Sequence, residues 1–323
     1  MSNSSKTVLI TGATAGIGRM TALHLAKLGH HVIATGRKPA ELAKLRVEAT
    51  AELAILGKGK LDTLLLDVTS LASIAAAAQE VEQLTNGRGL DVLVNNAGFG
   101  VLGPTSEITD SEMRRQYETN VFGLMNVTRA FLPKMMQRRN GRIINVSSMG
   151  GRMTLPYFGV YNSTKYAVES LSDAMRYELR PFGIDVSLIE PGIIRTNFEA
   201  TAVGNLGQFA NTPFKVAVEK YEEMSKTADK FASNPIVIAK AIARAVNSRR
   251  PAARYVAPFS TNLVLVFARI FPTRMWDWAM RKVGFLNAKS LGLTSRAPVA
   301  PEALEVTLPQ TTKPADVRPT ASN

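Results

Sequence analysis

The chain of 323 residues has no cysteine and only three histidines. Without cysteine it has neither a disulfide framework nor a thiolate metal site, which suits a reducing cytosol. The histidines, His24, His30 and His31, have no carboxylate cluster around them in the sequence, so we expect no metal centre. No apolar run reaches the roughly 18 residues that a membrane span needs, and no secretory apolar region precedes the first predicted strand. We therefore expect a cytoplasmic protein.

Acidic residues are scarce in one part of the chain. The formal net charge is +13, and residues 240–296 carry eleven cations against a single acid, Asp277. The rest of the chain is close to balanced, so the excess belongs to one region. No nucleic-acid recognition motif accompanies this patch, and we expect no nucleic-acid partner. A membrane surface is the partner that we favour.

Apolar residues make up 46% of the chain, and their pattern alternates between short buried strands and amphipathic helices. This alternation predicts an α/β domain with a doubly wound parallel sheet covered by helices on both faces. A capping box formed by Thr109 and Glu112 precedes the longest helix. The predicted strands cover residues 6–11, 31–35, 61–66, 90–94, 142–147, 185–189 and 254–257, and the main predicted helices cover 40–56, 70–84, 110–138 and 160–180.

A glycine-rich turn follows the first strand and opens a helix. It runs from Thr11 to Gly18 with the spacing G-x-x-x-G-x-G. Small residues at such a turn let backbone N–H groups approach a pyrophosphate near the helix N-terminus. The pattern predicts a dinucleotide site, although an ordinary strand–helix turn would read similarly.

The second strand ends in Gly36, Arg37 and Lys38. Dinucleotide folds that prefer NAD usually place an acid near this point to hold the ribose 2′-hydroxyl, whereas an arginine suits a 2′-phosphate. The sequence therefore predicts NADP(H) and disfavours NAD(H). The alternative is that Arg37 is only a solvated cation.

Tyr161 and Lys165 are four residues apart on a predicted helix, and Ser148 lies thirteen residues upstream of the tyrosine. The spacing puts Tyr161 and Lys165 on one helix face. An ammonium beside a phenol favours the phenolate, so we expect Lys165 to lower the pKa of Tyr161 towards neutrality. Such a phenol could exchange a proton with a C–OH/C=O group, whose oxygen Ser148 could hydrogen-bond. Alone, the pair could equally be a surface contact.

Taken together, these motifs resemble those of the short-chain dehydrogenase/reductase superfamily over about residues 6–258. Its N-N-A-G motif matches Asn95 to Gly98, and its P-G-x-x-x-T motif matches Pro191 to Thr196. The resemblance implies hydride transfer with Tyr161 as acid/base, Ser148 orienting the substrate oxygen and Lys165 holding the nicotinamide ribose. It adds Asn120 as the fourth catalytic residue, keeping a water for proton relay. The cofactor contacts that we predict, partly from this resemblance, are Gly12, Thr14, Gly16, Ile17, Gly18, Arg37, Asp67, Val68, Asn95, Ala97, Gly98, Tyr161, Lys165, Pro191, Gly192, Ile194 and Thr196.

Within the superfamily the sequence is most similar to the 17β-hydroxysteroid and retinol dehydrogenase branch. Residues 195–234 are long enough for a helical lid over the substrate. An apolar lid suits a steroid-, retinoid- or lipid-like alcohol or ketone, although these residues could simply pack the lid onto the core. The alternatives are a 3-oxoacyl thioester reductase and an NADPH-binding regulator without turnover. The apolar lid residues are Phe198, Val203, Leu206, Phe209, Phe214, Val218, Tyr221 and Met224.

Beyond a domain predicted over residues 1–258, residues 259–290 form an amphipathic extension and 291–323 read as a disordered, proline-containing tail. Leu263, Val266, Phe267 and Ile270 recur at helical spacing, and Pro272 breaks the pattern. A second stretch carries Met275, Trp276, Ala279, Met280 and Val283 on one side, with Arg274, Asp277, Arg281 and Lys282 elsewhere.

This mixture suggests peripheral membrane contact or a cover over the substrate mouth. Packing on the core or on a second subunit is the alternative. The superfamily resemblance also implies a homodimer or homotetramer, paired through the helices that hold Asn120 and Tyr161.

Overall fold

The structure, a computed structural model, describes residues 5–56, 59–196, 206–209, 211–228, 232–288 and 290–291. Almost all of the tail predicted over 291–323 lies outside the described residues, as do Phe198 and Val203 of the predicted lid.

Seven parallel strands form one sheet in the order β3-β2-β1-β4-β5-β6-β7. All seven predicted strands are present, and no end differs from its predicted position by more than two residues. They are β1 (Thr7–Ile10), β2 (His31–Gly36), β3 (Lys60–Leu65), β4 (Val92–Asn95), β5 (Gly141–Val146), β6 (Ile184–Pro191) and β7 (Arg254–Ala257).

The helices connect consecutive strands and cover both faces of the sheet. They are α1 (Gly16–Lys27), α2 (Pro39–Leu56), α3 (Leu71–Leu84), α4 (Asp110–Tyr117), α5 (Leu124–Arg138), α6 (Gly159–Glu178), α7 (Lys215–Ala228), α8 (Ile236–Asn247), α9 (Phe259–Ile270) and α10 (Thr273–Val283).

Alternate residues of the strands supply two separate cores. In β1, Val8 and Ile10 pack with α1, α2 and α8 on one face, whereas Leu9 packs with α3, α5 and α6 on the other. This is the two-residue period of a sheet buried on both sides. The predicted doubly wound parallel sheet is confirmed.

The strand order reverses between β1 and β4, because the chain returns across β1 after β3. At such a switch point the loops after two neighbouring strands diverge to opposite faces and leave a crevice. The glycine turn follows β1, and the segment from Asn95 to Gly98 follows β4. The fold therefore brings these two motifs to one edge.

Two local features differ from the sequence prediction. The helix predicted over 110–138 is interrupted by a π-helical segment, Glu118–Gly123, which separates α4 from α5. The predicted capping box is present, with Thr109 and Glu112 bonded reciprocally. Helix α8, which packs against α1, was not predicted at all.

The lid and the extension lie at the carboxyl edge of the sheet. Helix α7 contributes Val218 and Tyr221 to an apolar cluster that also contains Tyr157 and Val160, just before the predicted catalytic tyrosine. Helices α9 and α10 follow β7 and are separated by Pro272, as predicted. Among the described residues, no helix is long and apolar enough to span a bilayer.

Candidate active site

The turn between β1 and α1 places backbone N–H groups at the open edge of the sheet. Gly12 and Gly16 have φ angles of +65° and +51°, a region that favours glycine. A Cβ atom on Gly12 would lie 2.9 Å from the Cα atom of Ala97, so the turn also needs glycine to pack against the segment after β4. The residue before α1, Ala15, makes no side-chain capping bond. The first N–H groups of α1 are therefore left for another acceptor.

The remaining predicted residues of the glycine turn pack closely against the turn itself, the end of β2 and the core. Gly18 is buried, and a Cβ atom there would overlap the carbonyl oxygen of Gly12. Thr14 reaches towards the end of β2, where a Cβ atom on Gly36 would lie 2.6 Å from its Cγ2 atom. Ile17 packs against the core under α1. Each predicted residue of the turn thus lies in or directly under it.

The ends of β2 and β3 carry the residues that the sequence predicts to select the cofactor. Arg37 is exposed, and its Nη1 atom lies 4.0 Å from Oδ2 of Asp67. Asp67 also accepts hydrogen bonds from the backbone N–H and the hydroxyl of Thr69, at 2.9 and 2.7 Å. Val68 is buried beside it. The arginine is therefore free to turn towards a ligand at little cost, because its acidic neighbour is at the limit of an ion pair.

The segment from Asn95 to Gly98, at the end of β4, lies at the carboxyl edge of the sheet and is also hydrogen-bonded to neighbouring elements. The Asn95 amide donates to Thr128 and to Asn145, both at 2.9 Å, and is buried. The backbone N–H of Ala97 donates to the Thr11 hydroxyl at 3.0 Å, which ties the segment to the glycine turn. A cofactor contact by Asn95 stays a prediction. Its amide nitrogen is already engaged, whereas its buried side-chain oxygen has no hydrogen-bond partner.

The segment after β6 passes in front of the glycine turn. Pro191 ends β6, and Gly192 continues hydrogen bonding to β7. Ile194 is buried, and the Cγ2 atom of Thr196 lies 3.3 Å from where a Cβ atom on Gly16 would be. The predicted cofactor residues of β1 and β6 therefore face one another.

Tyr161, Ser148 and Lys165 converge where β5 ends and α6 begins. Ser148 caps a short 3-10 turn and accepts a hydrogen bond from the N–H of Gly150 at 3.0 Å. Burial raises the pKa of the Tyr161 phenol to about 12, and a hydrogen bond from the Ser148 side chain acts in the opposite direction. The serine and the phenol are thus in direct contact, as the spacing predicts.

Lys165 is buried beneath the tyrosine. Its Nζ atom donates to the carbonyl oxygen of Val146 at 2.9 Å and lies 5.7 Å from the centre of the Tyr161 ring. Burial lowers the pKa of Lys165 to about 8, while the negative charge of Glu169 raises it.

The expected depression of the tyrosine pKa by this lysine is wrong, because burial raises that pKa. The ammonium donates to the backbone carbonyl of Val146, and the cost of burying a phenolate is the larger effect on the tyrosine pKa. The phenol is consequently neutral at physiological pH.

Asn120 is carried by the π-helical segment and is buried. Its amide nitrogen donates to the carbonyl oxygen of Phe99 at 2.9 Å and to Thr164 at 3.1 Å, and its oxygen accepts from the N–H of Phe99 at 3.1 Å. An asparagine amide has two N–H donors and two acceptor lone pairs, so one lone pair remains. A Cβ atom on Gly98 would lie 3.1 Å from this oxygen and 3.7 Å from Nζ of Lys165. Asn120 and Lys165 therefore border the same small space.

Sequence reasoning missed two buried carboxylates behind Lys165, Glu169 and Glu190, and the partly exposed arginine that pairs with both. Glu169, one turn further along α6, lies 3.0 Å from a guanidinium nitrogen of Arg254 on β7. The same guanidinium lies 3.0 Å from Glu190, which is fully buried and also pairs with Arg152. The i, i+4 spacing of Lys165 and Glu169 was available in the sequence, but the link to Arg254 crosses 85 positions of chain.

The wall above Tyr161 is aromatic. The Phe158 ring packs edge-on against Tyr161 and against Tyr221 of the lid, with centres 6.3 and 6.4 Å apart. Tyr157 packs edge-on against Tyr221 at 5.0 Å. All the described members of the predicted lid set, Leu206, Phe209, Phe214, Val218, Tyr221 and Met224, belong to the same apolar cluster.

A nicotinamide dinucleotide fits the residues along this edge. The uncapped helix start, the two glycines with positive φ and the facing segment after β6 suit a pyrophosphate. Gly98 has no side chain between the glycine turn and Lys165, which leaves space for a flat group beside the lysine.

We predict that Glu169 keeps Lys165 protonated. In a Glu169→Gln variant the pKa of Lys165 should fall below that of the wild type, because the charge that raises it is removed. Titration of ¹³C-labelled lysine by NMR, with Lys165→Met to assign the signal, measures this directly.

The control for that titration is Glu178→Gln, on the exposed end of the same helix. It should leave the midpoint of the Lys165 signal unchanged. Since a lower pKa removes the ammonium at lower pH, any activity that needs it should decline earlier on the alkaline side. An unchanged midpoint in Glu169→Gln would contradict the assignment.

Comparison with known proteins agrees with this geometry. The family model described as "short chain dehydrogenase" matches residues 6–206. A 3-ketodihydrosphingosine reductase of Bacteroides thetaiotaomicron is 35% identical over 278 residues, covering 85% of this chain and 96% of the relative. Human 17-beta-hydroxysteroid dehydrogenase type 1 is 36% identical over 270 residues, covering 81% and 80%.

Among solved structures, a point variant of actinorhodin polyketide ketoreductase with NADPH has a TM-score of 0.66 at 27% identity, covering 79% of this chain and 97% of that one. The chain therefore belongs to the short-chain dehydrogenase/reductase family and is an oxidoreductase acting on CH–OH groups or their ketones.

Proposed function

We propose that the chain is an NADP(H)-dependent oxidoreductase that interconverts a steroid-, retinoid- or lipid-like alcohol and its ketone or aldehyde. The observation that carries this proposal is the placement of the Tyr161 phenol. It is bonded to Ser148, buried next to Lys165 and walled by the aromatic rings of Phe158 and the lid. The phenol can thus give a proton to the carbonyl oxygen, and the aromatic rings beside it offer an apolar surface to the rest of the substrate.

When bound, the cofactor supplies or accepts a hydride at the nicotinamide ring. In the reducing direction the carbonyl carbon gains the hydride and the carbonyl oxygen takes the proton of Tyr161. A phenol with a pKa of about 12 is protonated at neutral pH and therefore carries that proton. Ser148 donates to the same oxygen and orients it, and the Lys165 ammonium stabilises the phenolate that remains.

The apolar wall supports a hydrophobic substrate. The described lid residues pack with Val101, Leu102 and Val160, so a substrate beneath the lid would meet side chains without charge. Apolar pockets with few polar groups are typical of sites for such ligands. Two relatives are named for a sphingoid ketone and a steroid, which agrees with this preference.

Arg37 supports NADP(H) over NAD(H). It is an exposed arginine at the end of β2, followed by exposed Lys38, and its ion-pair contact with Asp67 is long, at 4.0 Å. An arginine fork binds a phosphate with strong charge-assisted hydrogen bonds.

We also propose that the protein is a homodimer paired through the π-helical segment and α6. Phe122 and Tyr166 on these elements, with Tyr177 further along α6, are large apolar or aromatic side chains exposed to solvent. Light scattering measures the mass in solution, which should be that of two chains.

Replacing Tyr161 with phenylalanine should lower kcat by about 10³-fold or more, because the proton donor is lost, and should change NADPH affinity little. NADPH oxidation at 340 nm, on the ketone that the wild type reduces fastest, gives kcat, and fluorescence titration gives the Kd.

The matched control is Tyr166→Phe, an exposed tyrosine on the same helix, which should retain wild-type turnover. Retained turnover in Tyr161→Phe would contradict the proton-transfer role.

Replacing Arg37 with aspartate should raise the Kd for NADPH about 10- to 100-fold, because one charge-assisted bond contributes about 1.5–3 kcal/mol. The Kd for NADH should change much less, since that cofactor has no 2′-phosphate. Arg46→Asp, an exposed arginine on α2, is the control and should leave both values near wild type. Equal losses for NADPH and NADH, or no loss, would remove Arg37 from cofactor selection.

A further inference from the structure

Helix α9 has an apolar stripe that faces away from the protein. Phe259, Leu263, Val266, Phe267 and Ile270 are all more than half exposed. Their offsets along the helix are 0, 4, 7, 8 and 11, which place them on a single face at 3.6 residues per turn. The residues of α9 that are buried, Thr261 and Leu265, lie on the opposite side. A water-facing helix ordinarily has the reverse arrangement.

The stripe continues into α10. Phe267 stacks on exposed Phe271 with ring centres 5.6 Å apart, and α10 adds exposed Met275 and Trp278. Every residue of α10 is described and none is buried. We call this surface, formed by the exposed apolar residues of 259–283, the apolar face. Contiguous apolar surfaces of this kind mark interaction sites on soluble proteins.

Cations border the apolar face. Arg269, Arg274, Arg281 and Lys282 are exposed, and Asp277 is the one acid on α9 and α10. The Lys282 ammonium lies 4.9 Å from the centre of the Trp278 ring. Tryptophan and lysine together are typical of side chains at the level of lipid headgroups.

The C-terminal end of the apolar face is attached to the wall of the substrate site. The Tyr157 hydroxyl donates to the carbonyl oxygen of Gly284, directly after α10. Phe285 and Leu286 then pack into the apolar cluster that holds Tyr157 and Val160.

The other end is fixed beside the end of β6. Thr261 of α9 lies so close to Gly192 that a Cβ atom on that glycine would overlap its hydroxyl. Both ends of the helix pair are therefore anchored near the catalytic groups.

We propose that α9 and α10 dock on an anionic lipid bilayer. The apolar stripe would enter the interface, and the four cations would lie at the level of the headgroups. Cations near an anionic surface are attracted to it, so binding should depend on lipid charge and on salt. A second copy of this chain is the less favourable occupant, because two such faces would bring twice these four cations together against only two copies of Asp277.

Docking on a bilayer would place the proposed substrate site next to a reservoir of lipid-like molecules. If the oxidoreductase acts on lipid-like molecules as proposed above, they reach the site between Tyr157 and the lid directly from the bilayer. This second step rests on the proposed function, whereas the docking does not.

Co-sedimentation of the full chain with vesicles tests the docking without any substrate. We expect the wild type to pellet with vesicles of phosphatidylcholine and phosphatidylglycerol, and to pellet poorly with phosphatidylcholine alone or at high salt. A variant with Val266→Gln, Phe267→Gln and Ile270→Gln should partition at least about tenfold less, and so should one with Arg274→Gln, Arg281→Gln and Lys282→Gln.

Matched controls change the same number of exposed residues elsewhere. Val47→Gln, Ile55→Gln and Leu71→Gln remove exposed apolar side chains, and Lys44→Gln, Arg88→Gln and Arg114→Gln remove the same charge. Both controls should pellet as the wild type does. Circular dichroism and light scattering show whether each variant is folded and at what mass.

The docking is overturned if the wild type does not pellet with anionic vesicles at low salt, or if the stripe variant pellets as well as the wild type. It is also overturned if the stripe variant is smaller in solution than the wild type while neither binds lipid, because the face then pairs two copies.

The delivery step has a separate readout. The stripe variant should reduce a ketone embedded in vesicles at least about tenfold more slowly than the wild type, and a water-soluble ketone equally fast. Equal rates on both would overturn delivery. Absence of any ketone reduction by the wild type would instead overturn the proposed function and leave the sedimentation result standing.

Discussion

The burial of Lys165 beneath Tyr161 is the constraint on which the site depends. A buried ammonium is costly unless it is bonded and has an opposite charge nearby. Here it donates to the Val146 carbonyl at the end of β5, and Glu169 one turn along α6 supports its charge. Glu169 is in turn held by Arg254 from β7. The protonation of the predicted catalytic lysine therefore depends on β5, α6 and β7 being packed together.

Similar mutual support is visible along the rest of the edge. The Asn95 amide at the end of β4 donates to Asn145 of β5 and to Thr128 of α5. The Thr11 hydroxyl after β1 accepts from the backbone N–H of Ala97, so the loops at this edge are fixed by groups beneath them. Asn120 satisfies both backbone groups of Phe99 from a π-helical segment and keeps one lone pair towards the space beside Lys165. π-Helical segments are frequent at functional sites because they re-aim a side chain without breaking the helix. The site is rigid on the sheet side, and its apolar wall comes from the lid.

The sequence predicted the sheet well because its strands are short β-branched or apolar runs bounded by glycine and polar turns. The turn at residues 11–18 and the Tyr161–Lys165 spacing were readable because their chemistry depends on local spacing. Three features could not be predicted from the sequence. The π-helical segment has no local signal, the contacts of Arg254 join distant positions, and the sign of the tyrosine pKa shift depends on burial, which only the tertiary fold sets. Helix α8 does have a local signal, since its apolar residues Ile238, Ala241, Ile242 and Ala245 recur at helical spacing.

The most direct test of the proposed activity is the rate at which the wild-type protein oxidises NADPH, followed at 340 nm. The rates with lipid-like ketones are compared with the rate on a 3-oxoacyl thioester. The panel would contain a ketosteroid, retinal and a long-chain ketone, each repeated with NADH. We predict turnover of at least one lipid-like carbonyl compound, faster with NADPH than with NADH and faster than the thioester. Exclusive reduction of the thioester would contradict the substrate class. Tight NADPH binding with no turnover on any member would contradict the proposed activity and favour the NADPH-binding regulator.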